Sequence, residues 1–373
     1  MKILFTGGGS GGHFYPLIAI AEELRRISKE ERLIAPLLFY MAPEPYDKHL
    51  LFENEITYVP ITAGKLRRYL SLKNVTDLFK TLWGILKALL HVFRIFPDVV
   101  VGKGGYGSLP ALIAARIFNI PVLIHESDTV PGRVNRWAGG FAKRISVSFA
   151  EAASYFPQDK VAHTGNPIRH ALMEGKTVAD SLGLSGSVKV ILILGGSLGS
   201  VILNESVMTI LPELLERYEI IHQTGRNNFE DIRARTRVLL EHHPFTERYH
   251  PLPYLSTSLM QTAGLSADLI ISRAGSTIFE IANWGKPSIL IPIADSNGDH
   301  QRENAYTYMQ HGATLVMEEQ NLQPAILLSE IEKLFENKER YEHLKEAAMR
   351  FAKGDAAEVI AREILEMALK HEK

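Results

Sequence analysis

The chain begins with Met1-Lys2-Ile3-Leu4-Phe5-Thr6-Gly7-Gly8-Gly9-Ser10-Gly11-Gly12-His13, where a short apolar run leads directly into a glycine-rich turn. An amphipathic helical pattern follows near residues 16–28. A buried strand that continues through glycines into a helix is typical of the first βα unit of a parallel sheet. The same succession recurs downstream, so this opening unit predicts the fold class of the whole chain.

Strands are predicted wherever a short run of Val, Ile and Leu shows no alternation between apolar and polar residues, as is expected of strands covered on both faces. The predicted strands are 2–5, 33–40, 98–101, 122–124, 145–147, 188–194, 219–222, 269–272, 288–292 and 314–317, and helical patterns lie near 16–28, 73–95, 108–118, 132–139 and 324–371. A polar break follows Gly165. We therefore predict an α/β protein with two Rossmann-like, doubly wound parallel-sheet domains, residues 1–164 and 165–353.

Composition excludes several classes of protein. The formal net charge is −1, which argues against a nucleic-acid partner, because such proteins usually carry a basic excess. Without cysteine there is no disulfide, thiolate nucleophile or cysteine metal site. The apolar start is too short for a signal peptide, and the longest apolar stretch, 82–96, is interrupted by Lys87, His91 and Arg94. We expect a soluble or peripheral protein.

Glycine loops follow three of the predicted strands, at 7–12, 102–107 and 195–199. Glycine allows the backbone to approach a ligand closely, and the helix that follows offers free N–H groups, so such loops suit phosphate or diphosphate. Tight turns without a ligand are the alternative. Gly7, Gly9 and Gly12 also satisfy G-x-G-x-x-G, but Glu44 comes too late for the ribose-binding acid of a nicotinamide dehydrogenase.

Polar clusters follow further strands and should meet at the carboxyl edges of the sheets. They are His125-Glu126-Ser127-Asp128, the segment from Arg273 to Glu280, and Asp299-His300-Gln301-Arg302-Glu303-Asn304. A carboxylate such as that of Glu280 can accept hydrogen bonds from both ribose hydroxyls. Helix capping is the alternative, above all for Asp299. Histidines and carboxylates do not show metal-ligand spacing, so we expect no metal and no tightly bound cofactor.

These loops, in this order, resemble the MurG family of glycosyltransferases. The matching stretches are 7–16, 102–108, His125-Glu126, 165–169, 195–197, 273–280 and 300–304. The resemblance implies the GT-B fold, two domains facing a cleft, with the acceptor on the first domain and the UDP-sugar on the second. A C-terminal helix at about 354–373 is expected to pack back on the first domain. The implied reaction is inverting transfer of N-acetylglucosamine from UDP-N-acetylglucosamine to lipid I, giving lipid II for peptidoglycan and cell-wall synthesis.

The resemblance also implies roles for individual residues. On the acceptor side, Ser10, Gly11 and Gly12 would line the cleft near the acceptor diphosphate. On the donor side, Arg169 and Ser197 would contact the nucleotide, and Gly275, Ser276 and Thr277 would touch the donor diphosphate. Glu280 would bind the ribose, Gln301 would bind the sugar, and the backbone near Leu255 would bind the uracil. The remaining expected substrate contacts are Gly104, Gly105, Tyr106, His125, Asp128, Arg273, His300 and Asn304. The chain departs from the family at Ser127-Asp128, where Gln-Asn is usual.

The transfer needs a base on the acceptor side, and a histidine with a pKa near neutral suits this role. His13 follows Gly12 in the first turn of a predicted helix, whose N-terminus favours the neutral form. His125 and Glu126 are rivals. Alternatively, His13 only hydrogen-bonds the glycine loop or orients a phosphate.

The segment 65–103 is basic and rich in Leu, Phe and Trp, which indicates binding to an anionic membrane at its cytoplasmic face. An ordinary amphipathic helix is the alternative. The expected partners are thus a UDP-sugar, a lipid-linked acceptor, a membrane surface and other cell-wall synthesis proteins. Competing interpretations of the whole chain are another GT-B transferase acting on a lipid such as diacylglycerol, a UDP-N-acetylglucosamine 2-epimerase, and a non-catalytic nucleotide-sugar sensor.

Overall fold

The computed structural model describes residues 1–64, 72–173, 182–196, 199–294 and 296–371. The chain divides into two compact units, Met1–Arg169 with Lys353–Lys373, and His170–Ala352. The sequence analysis predicted the boundary between residues 164 and 165, whereas the two units of the structure meet in the chain between Arg169 and His170.

Each unit contains one parallel sheet, which confirms the predicted α/β class. The strands of the first unit are β1 (Lys2–Thr6), β2 (Leu37–Ala42), β3 (Ile56–Pro60), β4 (Val99–Gly102), β5 (Val122–Glu126), β6 (Arg144–Val147) and β7 (Val161–His163). Those of the second are β8 (Lys189–Leu194), β9 (Tyr218–Gln223), β10 (Tyr249–Leu252), β11 (Leu269–Ser272), β12 (Ser288–Leu290) and β13 (Leu315–Val316).

The α-helices alternate with these strands, as βαβ units require. They are α1 (Gly11–Glu30), α2 (Lys48–Glu53), α3 (Leu72–Ile95), α4 (Leu109–Ile117), α5 (Arg133–Gly139), α6 (His170–Met173), α7 (Val201–Arg217), α8 (Phe229–Leu239), α9 (Thr257–Ser266), α10 (Thr277–Asn283), α11 (His300–Gln310), α12 (Pro324–Glu336), α13 (Lys338–Phe351) and α14 (Ala356–His371).

Both sheets reverse their strand order beside the first strand. The order is β3-β2-β1-β4-β5-β6-β7 in the first unit and β10-β9-β8-β11-β12-β13 in the second. Adjacent strands end in register there, with Thr6 opposite Gly102 and Leu194 opposite Ser272. In sheets of this type, ligands bind where the order reverses, beyond the carboxyl ends of the strands.

The sheet of the first unit is covered on both faces. One face packs against α1 and α14, with Leu17, Ile20, Ile360 and Ile364 in a single buried cluster. The other face packs against α3, α4 and α5. The C-terminal helix therefore belongs to the core of the first unit, although the second unit separates it from the rest in sequence.

Some element boundaries were predicted wrongly, and strands β3, β7 and β10 were missed. These three lie at sheet edges, where covering is incomplete and a strand need not be apolar throughout. Strand β2 begins at Leu37 instead of residue 33, because the chain is still leaving α1: the Leu33 N–H donates to the Ser28 carbonyl. Helix α1 begins at Gly11 instead of residue 16, so Pro16 lies inside the helix, in its second turn.

Helix α3 buries mainly small residues and leaves most of its large apolar residues exposed. Gly84, Ala88 and Val92 face the core, and a β-carbon on Gly84 would lie 1.7 Å from the Thr62 carbonyl oxygen. The outer face of α3, by which we mean the exposed Leu78, Phe79, Leu82, Trp83, Leu86, Leu90 and Phe93, is apolar. None of the helices in the described residues has the length and apolarity that crossing a bilayer requires.

Candidate active site

In the first unit, the loops after β1 and β4 pack backbone against backbone. A β-carbon on Gly105 would lie 2.7 Å from the Gly8 carbonyl oxygen, and one on Gly107 would lie 3.3 Å from the Gly8 Cα. Gly104 and Gly105 have φ of +85° and +77°, which glycine adopts without strain. Tyr106 covers Gly9, whose β-carbon would lie 3.1 Å from the tyrosine ring.

His13 lies between these two loops. Its Nδ1 is 3.2 Å from the Ser10 hydroxyl, and the position of a β-carbon on Gly105 is 3.3 Å from the same ring. Ser10 precedes α1 without capping it through its side chain, and Gly11 and Gly12, in the first turn, are partly exposed. The structure thus brings the predicted residues of both loops together around one half-buried imidazole.

Glu126 holds the loop that follows β5. Its carboxylate accepts hydrogen bonds from the N–H groups of Asp128 and Gly132, both at 3.0 Å, and from Asn135 Nδ2 at 2.9 Å. Burial raises the pKa of Glu126, Asp128 adds to this effect, and Lys103 opposes it. These contacts involve both oxygens of a buried carboxylate and tie the start of the loop to α5.

His125 is fully buried, and its Nε2 lies 3.2 Å from both the Gly165 carbonyl oxygen and the Ser148 hydroxyl. Burial and the charge of Lys103 hold its pKa well below the usual range for histidine. The ring therefore stays neutral and fixes the segment that leads to the second unit, a positioning role that the sequence did not indicate.

Lys103 was not predicted as a site residue; instead it was counted with the basic membrane segment. That assignment is wrong, because the side chain is buried. Within the described residues its Nζ has no hydrogen-bond partner. Burial lowers its pKa to about 8, against the opposing influence of Glu126 and Asp128. A lysine inside a glycine loop after a buried strand was the available sequence signal.

Arg169, predicted to contact the nucleotide, is a buried residue at the end of the first unit. Its guanidinium group lies over the Tyr15 ring, 4.3 Å from the ring centre. The Tyr15 ring in turn meets the Tyr46 ring nearly at right angles, with centroids 5.7 Å apart. An aromatic group therefore joins α1 to the loop between β2 and α2.

In the second unit, Arg273 connects the loops instead of facing outward. Its guanidinium group donates to the Ile291 carbonyl oxygen at 3.0 Å, to the Ser200 hydroxyl and to Glu319. The Asn304 amide donates to the Ala274 carbonyl at 3.2 Å, and Gln301 Oε1 accepts from the Ile293 N–H at 3.1 Å. These contacts join the loops after β11 and β12 to the start of α11.

The other predicted donor residues lie near this network or beside it. Gly275, Ser276 and Thr277 are partly exposed where α10 begins, and nothing lies within 4 Å of a β-carbon placed on Gly275. Glu280 is half-buried in the first turn of α10, and His300 opens α11. The Leu255 side chain is buried. Ser197 lies outside the described residues. Asp299 does not cap α11 through its side chain; the Ser296 hydroxyl accepts from the Gln301 N–H instead.

No group of three or more histidine and carboxylate side chains in the described parts of the chain is arranged to share a metal ion.

Comparison with known proteins gives a consistent result along nearly the whole chain. Residues 3–147 match the glycosyltransferase family 28 N-terminal domain, and residues 190–360 match the glycosyltransferase family 28 C-terminal domain. A relative from Bacillus thuringiensis subsp. konkukian is 36% identical over 371 residues, 98% of this chain and 99% of the relative. It is named UDP-N-acetylglucosamine--N-acetylmuramyl-(pentapeptide) pyrophosphoryl-undecaprenol N-acetylglucosamine transferase 2. A transferase of the same name, without the number, from Clostridium perfringens is 37% identical over 91% of this chain and 92% of its own length.

Solved structures agree on the fold. MurG from Acinetobacter baumannii superposes with a TM-score of 0.73 at 27% identity, covering 98% of this chain and 99% of that one. A UDP-GlcNAc 2-epimerase from Neisseria meningitidis reaches a TM-score of 0.69 at 19% identity, covering 98% of this chain and 100% of that one, which shows a shared fold alone.

The burial of Lys103 leads to a prediction about how the stability of the protein depends on pH. Its pKa is about 8 in the folded protein, against 10.5 for an unperturbed lysine, so between these values the unfolded chain binds more protons. The stability of the wild type should therefore rise with pH relative to Lys103→Met, by up to roughly 3 kcal/mol between pH 7 and 10.5. Urea unfolding across this range measures the difference, with the exposed Lys333→Met as control. If the difference in unfolding free energy between the wild type and Lys103→Met does not change with pH, the lowered pKa of Lys103 is contradicted.

Proposed function

This chain belongs to glycosyltransferase family 28, and from that premise we propose that it transfers N-acetylglucosamine from UDP-N-acetylglucosamine to a lipid-linked acceptor, with inversion at the sugar carbon. The proposed acceptor is the pyrophosphoryl-undecaprenol-linked N-acetylmuramyl pentapeptide that appears in the names of its relatives. The observation that carries the proposal is identity of 36% across 98% of the chain to transferases so named.

The two units have different proposed roles. The first unit would bind the acceptor at the interlocked loops after β1 and β4, and the second would bind the donor at the loops after β8, β11 and β12. Support comes from the switch points of the two sheets, where the loops after β1, β4, β8 and β11 lie, and from the glycines that keep their backbones accessible. Arg273, Asn304 and Gln301 would act mainly by holding the donor loops in place.

His13 is the proposed base. It would take the proton from the acceptor hydroxyl as the bond between sugar and UDP breaks, while backbone N–H groups stabilise the developing charge on the diphosphate. The position of its ring between two glycine loops supports this role. Glu126 and His125 would instead keep the neighbouring loop and Gly165 in place.

The alternative activities differ in what they do with the same nucleotide sugar. A 2-epimerase would release no UDP in response to an acceptor, and a transferase for diacylglycerol would use a different lipid. The likeness to the epimerases is below 20% identity and concerns the fold, whereas the relatives at 36–37% identity are transferases.

Membrane association is the second part of the proposal. A soluble monomer rarely leaves so continuous an apolar face uncovered as the outer face of α3. Lys80, Lys87 and Arg94 on the same helix supply positive charge, and Trp83 is 57% exposed. Lys65, Arg67 and Arg68 of the basic segment lie outside the described residues. Docking to the cytoplasmic face of the membrane as a peripheral protein would bring the chain to its lipid-linked substrate and to other cell-wall synthesis proteins.

Loss of the Glu280 carboxylate tests the donor site. Charge-assisted hydrogen bonds to the two ribose hydroxyls are worth about 1.5–3 kcal/mol each, so Glu280→Ala should weaken UDP binding at least about tenfold without unfolding the protein. Calorimetric titration with UDP measures the effect. Glu230→Ala, at an exposed position of α8 in the same unit, is the matched control. Equal UDP affinity in the Glu280 variant and the wild type would remove Glu280 from the site.

Acceptor-dependent release of UDP tests the reaction itself. The wild type should release UDP from UDP-N-acetylglucosamine only when the lipid-linked acceptor is present. His13→Ala should lower turnover at least about a hundredfold, because general bases contribute about 10²–10⁴-fold, and leave donor affinity nearly unchanged. His49→Ala on exposed α2 is the control. Retention of more than about a tenth of wild-type turnover would exclude His13 as the base.

Vesicle binding tests the outer face of α3. The protein should bind vesicles containing anionic phospholipid, with affinity that falls as salt rises, since each basic residue near the surface contributes about 1 kcal/mol. Phe79→Ser combined with Leu82→Ser should weaken binding, whereas Val238→Ser, exposed on α8, should not. Equal affinity for neutral and anionic vesicles contradicts the proposal. Dimerisation that the double variant abolishes would assign the face to a second copy of the chain.

A further inference from the structure

Tyr46 has a backbone conformation that is costly for an aromatic residue. Its φ is +53°, in the left-handed region. Among the non-glycine residues of the described chain with positive φ, Arg32, Glu55, Phe96 and Asn119 lie one or two residues beyond the ends of α1, α2, α3 and α4, where such a residue is a common helix ending. Asp299 directly precedes α11. Tyr46 also precedes a helix, so helix termination does not explain its conformation. For a bulky side chain this is an outlier of the kind that accumulates at functional sites.

The neighbouring residues hold Tyr46 in this conformation. Pro43 and Pro45 restrict the backbone before it, and Pro43 Cδ would lie 2.9 Å from a β-carbon on Gly107. The Asp47 carboxylate accepts from the N–H groups of His49 and Leu50 at 2.9 and 3.1 Å, which fixes the start of α2. The loop between β2 and α2 is therefore anchored against the glycine loops on one side and the helix on the other.

The anchored backbone directs the Tyr46 side chain toward the proposed acceptor loops. Its ring centroid lies 5.2 Å from that of Phe14 in α1, and its hydroxyl oxygen lies 2.8 Å from the position that a β-carbon on Gly11 would occupy. A larger residue than glycine at position 11 would collide with this hydroxyl. Even so, Tyr46 remains 41% exposed.

Packing against Phe14 and Tyr15 stabilises the Tyr46 ring, but it does not by itself require the strained backbone. Glycine or asparagine would adopt the same φ with less strain, and burying the ring fully would gain more from the hydrophobic effect. Strained residues persist when the surrounding structure holds them and when the strained geometry serves a purpose. What the strained backbone achieves here is a partly exposed tyrosine whose ring packs on α1 and whose hydroxyl lies against Gly11.

We propose that Tyr46 is a specificity residue for the acceptor, whose ring packs against the sugar ring next to the acceptor diphosphate and whose hydroxyl hydrogen-bonds to that sugar. A tyrosine offers an apolar face and a polar tip with little conformational entropy to lose, which suits a pyranose with one apolar face and several hydroxyls. This inference rests on the proposed function, because it requires a carbohydrate acceptor on the first unit.

The experiment uses the full-length protein. Binding measurements give the Kd of the acceptor in the absence of donor and the affinity for UDP. Turnover measurements give the acceptor KM and kcat. Tyr46→Leu should raise the acceptor Kd and KM about tenfold and Tyr46→Phe about threefold, with UDP affinity unchanged. Tyr155→Leu is the matched control, because Tyr155 is similarly exposed at 44% in the same unit. Thermal unfolding monitors folding, and if the Leu variant fails to fold, the Phe variant decides.

The acceptor is used both intact and without its peptide. Weaker binding of both forms by the Tyr46 variants supports the contact with the sugar. Equal acceptor affinity in wild type and variants overturns it, and so does a loss confined to the peptide-bearing form. If the wild type binds the acceptor but releases no UDP, the proposed function fails, while the binding measurements still decide the role of Tyr46.

Discussion

The close approach of two backbones at the first switch point is the constraint on which the first unit depends. The loops after β1 and β4 come within van der Waals contact at Gly8, Gly105 and Gly107, where side chains have no room. This contact places the start of α1 and the imidazole of His13 against the second loop. It also creates the surface on which the Pro43–Asp47 segment rests, and with it Tyr46. Replacing any of these glycines would therefore displace the site as a whole.

In each unit, a buried cationic residue follows the strand next to the switch point, β4 in the first unit and β11 in the second. The two residues differ in their hydrogen bonds. Arg273 after β11 donates to a carbonyl, a hydroxyl and a carboxylate, and so connects three loops by hydrogen bonds. Lys103 after β4 is buried near Glu126 and Asp128, and within the described residues its ammonium group has no hydrogen-bond partner. An unpaired buried charge is expensive, whereas a satisfied one can hold a loop firmly. The proposed donor loops are thus connected by hydrogen bonds. Lys103, in a proposed acceptor loop, interacts instead through charge with Glu126 and Asp128.

Helix α3 shows how packing requirements can determine what a surface presents. Because Gly84 contacts the Thr62 carbonyl and Ala88 and Val92 line the interior, this part of the helix lies close to the core, and few of its large residues are buried. Phe79, Leu82 and Trp83 are consequently exposed. The same arrangement that makes the core compact produces an apolar face beside basic side chains, which is the composition of an interfacial helix.

Local sequence patterns were enough to predict the class of fold, the interior strands of both sheets and the loops at which ligands are expected. Continuous apolar runs and glycine turns are local signals, readable without knowing the partners of a segment. The tertiary structure was needed to find the edge strands β3, β7 and β10, the burial of Lys103, the orientation of α3, the hydrogen bonds that occupy Glu126 and Arg273, and the left-handed Tyr46. Most of these depend on residues far apart in the chain, such as Gly84 with Thr62, or Arg273 with Ser200 and Glu319. Whether a polar or apolar side chain is buried is set by what packs against it, and that information does not lie in its own neighbourhood of the sequence.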